Sequence, residues 1–333
     1  MMKTISFLLL TSVMFLLACN STKKNNKQVQ TSALVIILEP EAEKIIDKNA
    51  TVEVLAEGFT WAEGPVWVDE LNAVLFSDVP ENKIYKWSLE DSLSVYLEPS
   101  GYTGKNKSGS GSNGLMLDAS GRLILCQHGD RRIALLNASL KTPASLYVTL
   151  AESFDGKKFN SPNDLHIKSN GDIYFTDPPY GLSNDSAREI KFNGVYKVNN
   201  IGKVTLLVDS LTRPNGIALS LDEKIVYIAN SDSKNVVWYR YQLDSLGEFY
   251  EGKVFYDANY LSETEKGMPD GLKVHKSGNI FATGPGGVLI FTPEAKHIAT
   301  IRTGTRAANC AFDKEQKYLY ITATDMLMRV RLK

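Results

Sequence analysis

Residues 160–181, NSPNDLHIKSNGDIYFTDPPYG, contain the pattern from which the fold of this chain can be predicted. It begins at a polar corner, runs through an alternating strand, turns at Asn170-Gly171 and continues in a second strand that ends on Asp177. Because the strands of a hairpin are antiparallel, the start of the first and the end of the second lie at the same end of the sheet. The pattern therefore predicts that Asn163 and Asp177 face one site.

The corner recurs along the chain. Six copies, 39 to 55 residues apart, are Glu63-Gly64-Pro65, Asn113-Gly114-Leu115, Asn163-Asp164-Leu165, Asn215-Gly216-Ile217, Asp270-Gly271-Leu272 and Asn309-Cys310-Ala311. This period is typical of propeller blades, and strand composition such as GDIYFT argues against helical repeats of similar length. We therefore predict an all-β fold, a six-bladed β-propeller, in one closed domain over residues 51–333.

The two ends of the repeat region both alternate as strands, at Val52 to Leu55 and at Leu327 to Leu332. We expect them to complete one blade together, because closing the ring removes an open sheet edge. The preceding segment, Ala33 to Asp47, is expected to form a short helix or a cover packed outside the ring.

The N-terminus has the pattern of an export signal. Lys3 precedes an apolar run, and the run ends in Leu16-Leu17-Ala18-Cys19, which resembles the lipobox of bacterial lipoprotein signal peptides. Residues 1–18 are interpreted as the signal peptide, and residues 19–50 as the lipidated Cys19, a flexible tether and the cover segment. Asn20 after Cys19 favours the outer membrane. The alternative is an ordinary secretory peptide in which Cys19 is incidental.

Composition excludes several classes of partner. Lys plus Arg (37) nearly balances Asp plus Glu (38), so no nucleic-acid partner is indicated. Apolar runs within the repeats have only strand length, so contact with a membrane is expected only through the lipid anchor at Cys19. Cys126 and Cys310 fall in repeats that are not neighbours, so they are interpreted as buried thiols without a disulfide. We expect a monomer or a dimer.

The corners also carry the chemistry. In a propeller, equivalent positions of the innermost strands meet near the axis, and here they are Glu63, Asn113, Asn163, Asn215, Asp270 and Asn309. Such all-oxygen donors suit Ca²⁺ before Mg²⁺ or Mn²⁺ and disfavour a structural zinc site. The alternative, that Asn and Asp merely cap turns, explains one or two corners but not Glu63, nor the polar second tier at Gln127, Asp177 and Asn230. We therefore predict a central metal site.

Two further features are expected near this site. His128 lies just past the second strand of the second repeat, at the same end as Asn113, and is either a solvated loop residue or a group that transfers protons. The rigid segment Pro178-Pro179-Tyr180-Gly181 is expected to form a wall of the pocket.

Several motifs together resemble the gluconolactonase, senescence-marker-protein and luciferin-regenerating-enzyme-like family of six-bladed propellers, and most of all its bacterial gluconolactonases. The resemblance covers residues 51–333 and rests on Glu63-Gly64-Pro65, Asn160-Ser161-Pro162-Asn163-Asp164, Tyr174-Phe175-Thr176-Asp177-Pro178-Pro179-Tyr180-Gly181, Arg213-Pro214-Asn215-Gly216, Pro269-Asp270-Gly271-Leu272-Lys273 and Ala308-Asn309-Cys310-Ala311-Phe312.

The resemblance implies a role for each site residue. It implies one divalent metal ion, Ca²⁺ first with Zn²⁺, Mg²⁺ or Mn²⁺ as alternatives, held by Glu63, Asn163, Asn215 and Asp270. Asp270 would serve as acid and base. Paraoxonase propellers resemble the arrangement more distantly and have a His pair, of which this chain keeps only His128, so His128 would act with Asp270, Asp177 or water. Substrate contacts are expected from Asn113, Asp164, Asp177 and Tyr180.

The expected activity is metal-dependent opening of a sugar lactone of the gluconolactone type to its aldonic acid. One alternative keeps the site but changes the substrate to another lactone or to an aryl or phosphate ester. The other is a lipid-anchored propeller that binds a carbohydrate or protein partner without catalysis.

Overall fold

The computed structural model describes residues 34–105 and 109–333 and shows, in these residues, six antiparallel sheets of four or five strands and one two-stranded hairpin. The innermost strands of successive sheets contact one another, and the last contacts the first, so the sheets form a closed ring. The prediction of a six-bladed β-propeller is confirmed. No helix in these residues has the length and apolar character needed to cross a bilayer.

Two strands precede the first blade, β1 (Val35–Ile37) and β2 (Val52–Glu57). Blade 1 contains β3 (Ala62–Val68), β4 (Ala73–Asp78), β5 (Lys83–Ser88) and β6 (Ser92–Leu97). Blade 2 contains β7 (Ser112–Leu117), β8 (Leu123–Gln127), β9 (Arg132–Leu136) and β10 (Tyr147–Ala151). A small hairpin, β11 (Ser153–Phe154) and β12 (Lys157–Lys158), follows.

Blade 3 contains β13 (Leu165–Ile167), β14 (Ile173–Asp177), β15 (Gly194–Val198) and β16 (Val204–Val208). Blade 4 contains β17 (Pro214–Leu219), β18 (Ile225–Asp232), β19 (Asn235–Leu243) and β20 (Phe249–Asp257). Blade 5 contains β21 (Leu272–Val274), β22 (Ile280–Gly284), β23 (Gly287–Phe291) and β24 (His297–Arg302). Blade 6 contains β25 (Ala307–Phe312), β26 (Tyr318–Ala323) and β27 (Met326–Arg331).

Helical segments are short. Three are 3₁₀ turns, Pro40–Lys44, Asp69–Leu71 and Asp185–Ala187, and one is an α-helical turn, α1 (Asn259–Ser262).

The N-terminal strands occupy the outer edges of the last two blades. Strand β2 pairs with β27, Val52 opposite Val330, and so supplies the outermost strand of blade 6. Strand β1 pairs with β24, Ile36 opposite Thr300, and adds a fifth strand to blade 5. Ile46, after the first 3₁₀ turn, is fully buried in the cluster shared by blades 5 and 6. Residues 35–46 therefore cover the outside of the ring at this point.

The core lies between the faces of neighbouring blades, because strand residues alternate between two adjacent interfaces. Between blades 2 and 3, Phe159 and Phe175 meet edge to face with ring centroids 5.1 Å apart. Between blades 4 and 5, Trp238 and Phe291 do the same at 5.4 Å. Aromatic residues thus pack in both of these interfaces, whereas the buried core between blades 1 and 2 consists of Val, Leu and Ile side chains.

Glycines and hydroxyls hold the corners together. A Cβ on Gly64 would lie 1.9 Å from the carbonyl oxygen of Asn113, and a Cβ on Gly216 would lie 2.2 Å from that of Asp270, so these corners pack backbone against backbone. The hydroxyl of Thr176 donates to the carbonyl of Asn215 in the next blade at 2.6 Å, and Ser77 donates to that of Asn113 at 2.9 Å. The positions of the corner side chains are therefore set by contacts between blades.

Candidate active site

A cavity of about 680 Å³ lies over the corners at one end of the central channel and is called the corner cavity. Seven of the nine residues singled out from the sequence line it. They are Glu63, Asn113, His128, Asn163, Tyr180, Asn215 and Asp270. The two others, Asp164 and Asp177, lie outside its wall. Trp61, Met268, Lys266 and Arg306 complete parts of the wall and were not singled out from the sequence.

Two carboxylates, Glu63 and Asp270, lie on the floor of the corner cavity. Glu63 is almost fully buried, and its Oε2 accepts a hydrogen bond from the amide of Gly64 at 3.0 Å. Burial, with a contribution from the charge of Asp164, raises the pKa of Glu63 to about 7. Burial and the charges of Glu63 and Asp164 raise the pKa of Asp270 well above its ordinary value. Two acids that oppose each other's ionisation favour a bound cation or a retained proton.

Three buried polar atoms around this floor have no hydrogen-bond partner among the described residues: Asp270 Oδ1, Asn113 Oδ1 and His128 Nε2. Buried polar atoms in folded proteins are almost always paired, so three unpaired atoms in one cavity indicate a ligand. Asn215 donates its amide to Ser231 Oγ at 3.3 Å, which leaves its own oxygen available. Carboxylate and amide oxygens are the donors that Ca²⁺ and Mg²⁺ take in proteins, and these residues therefore fit a divalent cation.

His128 and Tyr180 form one side of the corner cavity. A Cβ on Gly181 would lie 2.6 Å from the Cβ of His128, so the loop that carries Tyr180 packs directly on the imidazole. The hydroxyl of Ser161 anchors this loop, because it donates to the Pro178 carbonyl at 2.6 Å and accepts from the Gly181 amide at 2.9 Å. Burial lowers the pKa of His128 to about 4, so the ring is neutral near pH 7. Burial and the charge of Asp270 raise the pKa of Tyr180 to about 12.

Asp177 supports the corner instead of lining the cavity. Its two carboxylate oxygens accept hydrogen bonds from the amides of Asn160 and Ser161, each at 2.7 Å. Asp78 accepts in the same way from Thr60 and Trp61, at 3.1 and 3.0 Å. The polar second tier recognised in the sequence is present, but in these copies it holds the segment that leads into each corner. Asp177 is fully buried and does not line the corner cavity.

Asp164 lies beneath the corners and is almost fully buried. Its Oδ1 accepts from the amide of Leu165 at 2.9 Å, and its Oδ2 accepts from Asn309 Nδ2 at 3.2 Å. The structure therefore places Asp164, like Asn309, below the cavity floor and out of its wall. The repeat pattern predicted that the side chains of all six corners lie in one layer. The prediction is wrong for Asn309, whose side chain turns toward Asp164.

The family of the chain follows from comparison with known proteins. The SMP-30/Gluconolactonase/LRE-like region matches residues 61–325. The chain belongs to this family. Within the SMP-30/Gluconolactonase/LRE-like family, a gluconolactonase of Zymomonas mobilis is 35% identical over 93% of this chain and 89% of its own length. The resemblance recognised in the sequence, and the prediction of a lactone-hydrolysing enzyme, are confirmed.

Solved structures agree on the fold. A gluconolactonase of Xanthomonas campestris matches with a TM-score of 0.80 and 27% identity, over 91% of this chain and 96% of its own. A calcium-binding regucalcin of Agrobacterium tumefaciens matches with a TM-score of 0.66 and 20% identity, over 84% of this chain and 94% of its own, and that likeness concerns the fold.

Proposed function

We propose that this lactone hydrolase is metal-dependent and opens a sugar lactone of the gluconolactone type to its aldonic acid. The observation that carries the proposal is that Asp270 and the buried Glu63 both line a cavity of about 680 Å³, and that the buried Oδ1 of Asp270 has no partner in residues 34–105 and 109–333. Such a cavity is within the size range of small-molecule sites and accommodates a sugar lactone.

Glu63, Asn163, Asn215 and Asp270 are the residues that would hold the metal ion. A divalent cation held there supplies a Lewis acid that polarises the lactone carbonyl and stabilises negative charge on its oxygen. We propose Ca²⁺, with Zn²⁺, Mg²⁺ and Mn²⁺ as alternatives, because the donors are all oxygen.

The protein's own residues then move the protons. Asp270 accepts a proton from the attacking water as the new bond to the carbonyl carbon forms, and it returns a proton to the ring oxygen as the ring C–O bond breaks. Neutral His128 offers its unpartnered Nε2 to the same water or to the substrate. Tyr180, protonated at neutral pH, and Asn113 orient the sugar hydroxyls from the wall.

The test is hydrolysis of glucono-1,5-lactone, followed by proton release after subtraction of spontaneous opening. Activity is measured with EDTA and after addition of Ca²⁺, Zn²⁺, Mg²⁺ or Mn²⁺. We expect metal-dependent turnover that is lost in Glu63→Gln and Asp270→Asn. Binding of metal without turnover of any sugar lactone would contradict the substrate assignment and direct the search to other lactones and to aryl or phosphate esters. Turnover that survives complete metal removal would contradict the metal dependence.

For the N-terminus, which lies outside the described residues, we propose lipidation of Cys19 after removal of residues 1–18 and anchoring in the outer membrane. Cell fractionation of the full chain against Cys19→Ser tests this. A wild-type chain that is released with the aqueous fraction as completely as the variant would contradict it.

A further inference from the structure

We propose that Lys273 is an internal counter-ion of the metal site, which holds Asp164 and Asn309 beneath the corner cavity and restricts the acidic cluster to one divalent cation. The inference rests on the proposed metal dependence. It concerns a positioning residue that has no contact with the proposed substrate.

The ammonium group of Lys273 closes a small polar network. Its Nζ lies 3.8 Å from Asp164 Oδ2 and 3.3 Å from Asn309 Oδ1, and it donates to the carbonyl of Leu272 at 3.1 Å. Asn309 in turn donates from Nδ2 to Asp164 Oδ2 at 3.2 Å. One amide side chain thus bridges a cation and an anion, and its orientation is set by both.

The corners leave room for this network. A Cβ on Gly114 would lie 2.8 Å from Asp164 Oδ1, and a Cβ on Gly271 would lie 2.0 Å from Asn309 Cγ. Gly follows the first residue in four of the six corners, whereas the third has Asp164 at this position. The glycines of the second and fifth corners therefore make the space that the Asp164 and Asn309 side chains fill.

The charges explain why a lysine lies here. Glu63, Asp164 and Asp270 lie on corners that converge at the central channel, and Asn309, the partner of Asp164, packs against Gly271, next to Asp270. Ionised together, the three carboxylates carry three negative charges, and Lys273 reduces the sum to two, which one divalent cation neutralises. His166 adds no positive charge near neutral pH, because burial and Lys273 lower its pKa to about 4. Without Lys273 one negative charge beneath the floor would be unbalanced.

The experiment measures Ca²⁺ binding directly, by calorimetry on the metal-stripped full chain at pH 8, for wild type, Lys273→Met and Lys273→Arg. We expect one ion per wild-type chain. In Lys273→Met, loss of the positive charge should tighten binding about tenfold or add a second ion, because a nearby positive charge repels a bound cation. Lys273→Arg should restore the wild-type result.

Two further variants separate charge from folding. Lys314→Met removes an exposed lysine that pairs with Asp69 and not with Asp164, so this variant is the matched control and should bind Ca²⁺ like wild type. Asp164→Asn should weaken Ca²⁺ binding about tenfold, and this holds even where Lys273→Met fails to fold. Unchanged affinity and stoichiometry in Asp164→Asn, or in a folded Lys273→Met, would overturn the inference.

The outcomes also distinguish this inference from the proposed function. A wild-type chain that binds one Ca²⁺ and responds to these substitutions, yet hydrolyses no lactone, supports the counter-ion and refutes the activity. A metal-dependent lactonase whose Ca²⁺ affinity is unchanged by substitution of Lys273 and Asp164 supports the activity and refutes the counter-ion. A wild-type chain that binds no divalent cation overturns the inference whatever its activity.

Discussion

The two ends of the central channel contain cavities of comparable volume but opposite character. The corner cavity measures about 680 Å³, and the distal cavity, lined by the far ends of the innermost strands, measures about 510 Å³. In the distal cavity the two carboxylates Asp69 and Glu223 both have hydrogen-bond partners. Asp69 accepts from Trp67 Nε1 at 2.8 Å and lies 3.2 Å from Lys314 Nζ, and Glu223 accepts from the amide and hydroxyl of Ser169 at 2.7 and 2.6 Å.

The corner cavity differs because Asp270, Asn113 and His128 each keep a buried atom without a partner in the described residues. An unpaired buried polar atom costs free energy that a ligand can recover. In this molecule the two cavities differ in the number of polar atoms left without a hydrogen bond, and not in volume, and this difference identifies the corner cavity as the binding site. Four measurements test this difference between the two cavities.

The largest expected effect is on catalysis at the corner end. Asp270→Asn keeps the shape of the side chain but removes the negative charge and the proton acceptor, so kcat/KM for glucono-1,5-lactone should fall about 1,000-fold or more. Glu223→Gln, the same change of charge at the distal cavity, is the matched control and should stay within twofold. Equal losses in the two variants would refute the distinction between the ends.

A smaller effect is expected at His128. His128→Gln removes a neutral ring whose Nε2 faces the cavity, and general acid–base groups contribute factors of about 100 to 10,000, so we expect kcat to fall about 100-fold. Because the pKa of His128 is lowered to about 4, its ionisation should produce no step in the rate profile between about pH 5.5 and pH 8. This range lies above that value and includes the ordinary pKa of 6.5, where an exposed histidine would titrate. A rate step near pH 6.5 that disappears in the variant would contradict the buried, neutral state.

A third effect concerns stability without metal. The pKa of Glu63 is about 7 in the folded chain and 4.5 ordinarily, so the folded state binds more protons between these values and loses stability as the pH rises. In EDTA, the Tm of wild type relative to Glu63→Gln should fall by about 5 °C from pH 5 to pH 8. Added Ca²⁺ should reverse the difference, because it binds only the folded, ionised site. A constant difference across this range would show that Glu63 is ionised throughout.

The smallest effect is expected from a histidine at the distal end. His166→Gln changes a residue of the distal cavity wall and should alter kcat/KM less than twofold. A loss comparable to that of His128→Gln would mean that the distal cavity takes part in the reaction.

Much of the fold and the site could be predicted from the sequence because both depend on repetition. Each corner repeats a local pattern of a polar residue, a glycine and a strand, and ring symmetry brings equivalent positions together whatever the details of packing. Glu63, Asn163, Asn215 and Asp270 were found in this way, and so was the pairing of β2 with the last blade. Tyr180 was found because prolines stiffen its loop.

The rest depends on contacts between residues far apart in the sequence, for which the repeats give no signal. Asp177 and Asn163 share a hairpin, but only the structure shows that both Asp177 oxygens accept backbone amides. The pairing of Asp164 with Lys273 breaks the symmetry, since neither residue type recurs at the equivalent position of the other corners. The Asn309 side chain turns toward Asp164 as part of the same network, and this too could not be predicted from the repeats.

The pairing of β2 with β27 also sets the order of events during synthesis. Blade 6 takes one strand from residues 52–57 and three from residues 307–331, so the first repeat-region strand to leave the ribosome waits for the last. At roughly 5 to 20 residues per second, that wait lasts many seconds. Throughout this time the innermost strand of blade 1 lacks its contact with blade 6, and the ring closes only once translation has passed Arg331.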